Sequence, residues 1–394
     1  MSSLFWYPGH DLALTNIVRA ENCSLYDADG RRYVDLESGV WCTSVGQGHP
    51  RICEVVRRQM SRVAHTGFSY SSQIVEAAAQ DLLTLHGADG GKCVFLSSGS
   101  EAVEFGVRVA ERINPRAVLM TMADSYFGAY GSAARKAEGD WFVFDWLACA
   151  ECPHGEPCGD RCSRWRAIPF DRIGGFVFEP GSSSGLVRFP PAKLIARIAA
   201  AVKAEDGLLV VNEVTTGFGR TGRWFGYQHY DLQPDIVSMG KGLGNGYPVS
   251  AATLSPAMID RIGDREVHYS QSHQNDPLGA AVAREVVRII EEEGLIERAG
   301  RIGQRLADGL AAIRRRSGRI ADVRIRGLMA AIELQDGPGA PFTARVRRAL
   351  LDRGYVVAQR PGLNVLRLDP SLTVEEADIE GFLASLEKLL NPEG

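Results

Sequence analysis

Between Lys92 and Val249 short apolar runs alternate with amphipathic stretches: "KCVFL", "EAVEFGVRVAERI", "RAVLMTM", "GGFVFEP", "PAKLIARIAAAVKAED", "GLLVVNEV" and "PDIVSMG". Strand and helix in alternation predict an α/β fold built on a mostly parallel sheet covered by helices. After Pro277 the pattern changes to long charged helices and then to the short strands "IRGLMAAIEL", "GYVVAQR" and "NVLRLDP", which predicts a second, smaller α+β domain. Earlier, "CSLYDADGRRYVDL" reads as a hairpin turning at Asp27 to Gly30. The expected division is residues 1–50 as an N-terminal segment packed with the small domain, 51–280 as the large domain and 281–394 as the small one.

Composition narrows the function. The 394 residues carry 44 basic and 48 acidic side chains, a net charge of −4, which leaves no electrostatic footprint for nucleic acid. No run reaches transmembrane length, and Pro8, Gly9, His10 and Asp11 interrupt the place where a signal peptide needs an apolar core. The chain reads as cytoplasmic, with no membrane partner. Eight cysteines are too sparse for a disulfide scaffold. Four of them, Cys149, Cys152, Cys158 and Cys162, cluster around His154; zinc is the lesser reading and thiols in a surface loop the greater, because the later intervals lack the usual paired spacing.

Three stretches carry chemistry. Ser98 and Glu101 have capping-box spacing, so a helix starts there, and Ser98, Gly99 and Ser100 would present free amides and hydroxyls to a phosphate. A simple helix cap explains the same residues. "LLVVNEVTTGFGRTG" contains G-x-G-x-x-G at Gly217, Gly219 and Gly222, but no amphipathic helix follows, which speaks against a dinucleotide site and a nicotinamide-dependent dehydrogenase. Asn212 and Glu213 instead end a buried strand, where α/β proteins place ligands and polar groups need partners. In "SMGKGLGNGYPVS", Lys241 follows a strand 29 positions after Asn212, so the two strand ends can lie side by side. A desolvated lysine suits Schiff-base chemistry, and Gly240, Gly242, Gly244 and Gly246 would leave room for a flat ring against the backbone. A solvated lysine in a glycine loop is the alternative.

Taken together, "NEVTTGFGRTG" followed by "DIVSMGKGLGNGYP" resembles the class III (subgroup II) pyridoxal-phosphate-dependent aminotransferases of fold type I, and the likeness runs from "LYDADGRRYVDLESGVW" to "VLRLDPSLT". The resemblance implies a large domain with a seven-stranded sheet, pyridoxal 5'-phosphate as cofactor, and transfer of an amino group from an amine or amino acid to a 2-oxo acid. It implies Lys241 as the Schiff-base and proton-moving residue, Ser98, Gly99 and Ser100 as the phosphate cradle, and Tyr126 stacked on the ring. Phe127 stands where many relatives have His or Trp. It implies Ser272 reaching the phosphate of a neighbouring subunit in a homodimer, or a tetramer, and Arg367 gripping a substrate carboxylate. Trp41 resembles a pocket aromatic of amine-type members and is equally consistent with a core residue; Arg367, without the resemblance, reads as a surface ion pair.

Departures from the pattern matter as much. Asn212 stands where the family has an aspartate that keeps the pyridine nitrogen protonated, so the electron sink is weaker or Glu179 or Glu213 takes over part of the role. Thr215 stands where relatives often have Gln, and Ser184 where ornithine- and 4-aminobutyrate-type members have a glutamate that masks the arginine. Arg220 matches the motif without an evident purpose. A racemase or epimerase on the same scaffold, and a non-catalytic cofactor-binding homologue, are the competing expectations.

Overall fold

The computed structural model describes residues 3–5, 12–67, 69–114, 118–150, 152, 159, 161–265, 267–335 and 341–391. His154, Cys158 and Phe68 lie outside them. Three short strands open the chain, β1 (Ile17–Glu21), β2 (Ser24–Asp27) and β3 (Arg32–Asp35). The β2–β3 hairpin forms where expected: Asp27 Oδ1 accepts from the amides of Asp29 (3.1 Å) and Arg31 (2.9 Å), closing the turn through Gly30 at φ 81°.

Seven strands follow: β4 (Lys92–Leu96), β5 (Val118–Met122), β6 (Trp141–Phe144), β7 (Ile173–Phe178), β8 (Leu208–Asn212), β9 (Ile236–Met239) and β10 (Ser250–Leu254). They form one sheet in the order β4-β10-β9-β8-β7-β5-β6. All neighbours are parallel except β10, which runs antiparallel to both β4 and β9. Every residue of β7, β8 and β9 is buried, because helices cover both faces. Side-chain alternation sorts the two faces. Val177, Leu208, Val210 and Ile236 pack with Val103, Val107 and Ala110 of the helix Gly99–Ile113. Phe176, Phe178, Leu209 and Val211 pack in the cluster that holds Leu194, Ile195 and Ile198 of the helix Ala192–Ala204.

The C-terminal part adds β11 (Ile320–Arg326), β12 (Met329–Leu334), β13 (Tyr355–Val356) and β14 (Val365–Leu368). Strands β11, β12 and β14 make a three-stranded sheet, whereas β13 pairs in parallel with β3. The N-terminal hairpin is therefore stitched to the C-terminal part. The expected boundary at 280 falls within a continuous helix, Pro277–Glu292, which packs on the helices Pro50–Met60 and Gln73–Leu85. Strands β6 and β10 are elements that the sequence pattern did not single out. Among the described residues no helix is long and apolar enough to cross a membrane.

Candidate active site

A cavity of about 630 Å³ opens at the carboxyl edge of the sheet. Asn212 ends β8, Lys241 follows β9, and Gly99 and Ser100 begin the helix after β4; strands β8 and β9 are adjacent, with Asn212 opposite Ser238. Trp41, Tyr126, Thr215 and Arg367 complete the set of expected residues on its wall. Ligand sites at this edge follow from the topology of open α/β sheets.

Lys241 has φ 47°, a left-handed conformation unusual for a residue with a side chain. Its Nζ lies 4.5 Å from the Trp41 ring centre, and burial holds its ammonium below the ordinary lysine range. Arg367 also lies against that indole, with its guanidinium carbon 3.7 Å from the ring centre. Two carboxylates hold it: Nε donates to Asp369 Oδ1 at 2.7 Å, and Nη2 lies 3.3 Å from Glu37 Oε1. Trp41 is 3 % exposed.

The segment carrying Trp41 is a left-handed turn. Ser38, Gly39, Val40 and Trp41 all have φ between 45° and 66°, a conformation that costs residues with side chains roughly 1–2 kcal/mol each. Surrounding contacts over-determine it. Asp35 Oδ1 accepts from the amides of Glu37 and Ser38, both at 2.9 Å, and Ser38 Oγ donates to Asp369 O at 2.6 Å. Arg220, buried and without an evident purpose in the sequence, donates to the carbonyls of Leu328 and Pro370 and reaches Ser38 Oγ at 3.4 Å. It ties this turn to the C-terminal strands.

Asn212 is satisfied at both ends: Nδ2 donates to Tyr126 O and Oδ1 accepts from Val214 N, each at 3.1 Å. Glu179 accepts from Tyr126 N at 3.1 Å and Ser183 Oγ at 2.6 Å, and burial pushes its carboxyl up to about 7. Glu213 accepts from Thr216 Oγ1, Gly226 N and Tyr227 N. Neither glutamate lines the cavity; they brace Tyr126 and the loop after β8. Ser98 also stays off the cavity wall, since its hydroxyl caps the helix, accepting from Glu101 N at 3.3 Å while Glu101 Oε2 accepts from Ser98 N at 2.7 Å. Ser272 is exposed and away from the cavity.

The glycines around Lys241 need a different explanation from the one their pattern suggested, since none of the four lines the cavity. A Cβ on Gly240 would stand 3.2 Å from Gly99 Cα, and one on Gly244 would meet Val249 at 3.0 Å. They allow backbone and neighbouring chain to close up beneath the site. As the sequence implied, Gly217, Gly219 and Gly222 lead into a short 3₁₀ turn, Gly226–Tyr230, and open no α-helix. Cys149, Cys152 and Cys162 form no three-sulfur group among the described residues, and no disulfide joins the described cysteines. Glu37, Ser183, Arg347 and Arg360 line the cavity without any signal in the sequence pattern that marks them.

These residues fit pyridoxal phosphate on observations of their own. Thr215 Oγ1 is buried on the cavity wall with no partner, as a group awaiting a polar ligand would be. Gly99 and Ser100 place a helix N-terminus, favourable to phosphate, on the same wall as a desolvated amine. Fold and cleft thus define an α/β transferase site for an aldehyde cofactor bearing a phosphate.

The family model described as aminotransferase class-III matches residues 6–134 and 159–390. An acetylornithine aminotransferase from Mycobacterium tuberculosis is 33% identical over 375 residues, covering 93% of this chain and 89% of that protein. A leucine/methionine racemase from Thermococcus litoralis is 27% identical over 400 residues, covering 95% and 90%. The solved (S)-enantioselective omega-transaminase from Thermomicrobium roseum superposes with a TM-score of 0.84 at 26% identity, covering 96% and 92%. The chain belongs to the class III aminotransferases. It is accordingly a pyridoxal-phosphate-dependent enzyme that moves an amino group between small amino and 2-oxo compounds.

Proposed function

We propose that Lys241 is the residue that holds the cofactor aldehyde and moves the proton during transfer, and that Arg367 anchors the substrate carboxylate beside Trp41. The observation that carries this reading is the convergence of a buried amine and a positioned guanidinium on one indole ring in a single cavity. When bound, the cofactor supplies the electron sink that makes the substrate Cα–H acidic. The desolvated Lys241 amine would accept and return that proton, because burial disfavours its ammonium form and so favours the neutral amine that can act as a base. Asp369 fixes the Arg367 fork through Nε, and a substrate carboxylate would meet Nη1 and displace Glu37 from Nη2 to bind in two-point fashion.

Around this pair, Gly99 and Ser100 would serve the phosphate, with Ser98 capping the helix that presents them, Tyr126 the ring face, Thr215 the ring hydroxyl and Asn212 the ring nitrogen, with Glu179 fixing the Tyr126 backbone. Ser272, exposed and off its own cavity, suits the expected reach into a neighbouring subunit of a homodimer. The sparse cysteines fit the expected cytoplasmic enzyme, and β3–β13 pairing supports residues 1–50 acting with 281–394 around a 51–280 large domain.

Borohydride reduction of the purified yellow protein, followed by peptide mapping, tests the assignment. The expected result is a single modified peptide containing Lys241, and Lys241→Ala should lose transfer from amino donors to pyruvate or 2-oxoglutarate. A label on another lysine overturns it. A single turnover with one enantiomer separates transfer, which converts the cofactor to its amine form, from racemisation, which does not.

A further inference from the structure

Tyr126 lies on the cavity wall and is 47 % exposed, so core packing does not orient its ring. The ring takes its direction from the backbone. The peptide unit joining Ser125 to Tyr126 is held at both ends: Lys136 Nζ donates to Ser125 O at 3.1 Å, and Tyr126 N donates to Glu179 Oε2 at 3.1 Å. An ammonium and a carboxyl group thus face each other across one amide, each at the end of the peptide dipole that suits it. The next carbonyl, Tyr126 O, accepts from Asn212 Nδ2 at 3.1 Å. Lys136 reaches the other neighbour as well, with Nζ 5.0 Å from the centre of the buried Phe127 ring. It therefore meets the residues on both sides of Tyr126. Lys136 ends the short helix Gly131–Arg135 at φ 46°, a left-handed position that glycine occupies without strain. It is half-buried, and burial holds its ammonium below the ordinary lysine range against the raising effect of Glu179. Strain and desolvation at one lysine point to a task for its side chain.

We propose that Lys136 is a positioning residue: with Glu179 and Asn212 it fixes the two peptide units that flank the Tyr126 Cα, and so sets the direction in which Tyr126 offers its ring to the cofactor. The inference rests on the reading of Tyr126 as the ring-facing residue. Lys136 itself does not line the cavity, so it acts through Ser125 and Phe127. Without the ammonium, Ser125 O loses this donor and the 125–126 amide is held at its N–H end by Glu179. Rotation of that amide turns the Cα–Cβ bond of Tyr126 and tilts the ring.

The test compares Lys136→Met, Lys136→Gly and Lys136→Arg with the parent holoenzyme, each alone and combined with Tyr126→Ala. It reads the dissociation constant of pyridoxal phosphate, the circular dichroism that the bound cofactor acquires in its visible band, kcat and KM, and denaturant unfolding of the cofactor-free chain. Lys136→Met should weaken cofactor binding on the order of tenfold, the effect of losing one hydrogen bond to a charged group, and reduce the induced dichroism. Its kcat should fall several-fold with little change in KM, because a tilted ring is felt in the reaction and not in the grip on a substrate carboxylate. Lys136→Gly should repeat those losses in full although its cofactor-free chain is more stable than that of Lys136→Met, since glycine relieves the left-handed backbone. Lys136→Arg should restore binding and dichroism, because a guanidinium can also donate to Ser125 O and lie over Phe127. In the Tyr126→Ala background the Lys136 substitutions should add nothing. Binding and dichroism unmoved in Lys136→Met and Lys136→Gly, losses that follow cofactor-free stability from one to the other, or losses equal with and without the Tyr126 ring overturn the positioning role alone. Binding and dichroism unmoved in Tyr126→Ala itself overturn it together with the reading it rests on.

Discussion

At the scale of single residues, the site's character depends on what neutralises what. Glu37 competes for Arg367 at 3.3 Å, and burial raises its carboxyl above the ordinary glutamate range. Replacing it by Gln should free the guanidinium, so the KM for a 2-oxo acid falls several-fold; an unchanged or higher KM would show that Glu37 does not stand between Arg367 and the substrate. Lowering pH should mimic the substitution, since Glu37 takes up its proton before an exposed glutamate does. Asn212 poses the opposite case. Asn212→Asp keeps the acceptor for Val214 N but turns an anion toward Tyr126 O, which Nδ2 now satisfies. Without cofactor the variant should be less stable by about 1–3 kcal/mol. With cofactor bound, a ring nitrogen able to carry a proton would supply the missing positive charge and narrow the gap. Denaturant unfolding of both forms decides it: an equal deficit with and without cofactor means that position 212 does not face the ring.

Elements explain why some of these residues were legible and others were not. Lys241, Gly99 and Asn212 follow strands whose apolar runs are unmistakable, and the parallel neighbours β8 and β9 bring positions 29 apart to one edge. Their context is local, so the sequence carries it. Arg347 comes from a helix, Arg360 from the turn after β13 and Glu37 from the end of the N-terminal hairpin, more than 100 positions from Lys241. No periodicity encodes such a meeting. The glycines near Lys241 were visible as a pattern, but their purpose depends on Gly99 and Val249 approaching from β4 and β10, and β10, rich in small residues, had no strand signature. The left-handed turn at Ser38–Trp41 was equally hidden, since Gly39 is the single residue in it that favours φ > 0. Here Gly39→Ala isolates backbone strain, because an added Cβ meets nothing within 4 Å. It should destabilise by about 1–2 kcal/mol in denaturant unfolding. A neutral result would mean that the turn relaxes out of the left-handed region.

Across the whole molecule, the N-terminal and C-terminal parts are bound into one unit by β3–β13 pairing, by Arg220 reaching Leu328 and Pro370, and by the helix Pro277–Glu292 running unbroken from one part to the other. Parts joined this way should unfold together, so a titrating group deep in the large sheet is read by global stability. Glu179, at the end of β7, is such a group: burial pushes its carboxyl up from 4.5 to about 7 against the lowering effect of Ser183 and the Tyr126 amide. In the folded chain it keeps its proton to about pH 7, whereas in the unfolded chain it loses the proton near 4.5. Between those values the folded state binds more protons, so stability falls as pH rises, and above about 7 this contribution is constant. The full fall is on the order of 3 kcal/mol. Glu179→Gln removes the titration while its carbonyl keeps an acceptor for Tyr126 N and its amide group donates to Ser183 Oγ, whose hydroxyl turns to accept, so the difference in unfolding free energy between parent and variant should slope from pH 4.5 to 7 and then level off. A difference that is flat across that window would place the Glu179 proton loss at ordinary pH and show that its two donors, and not its burial, govern the charge at this edge of the cavity.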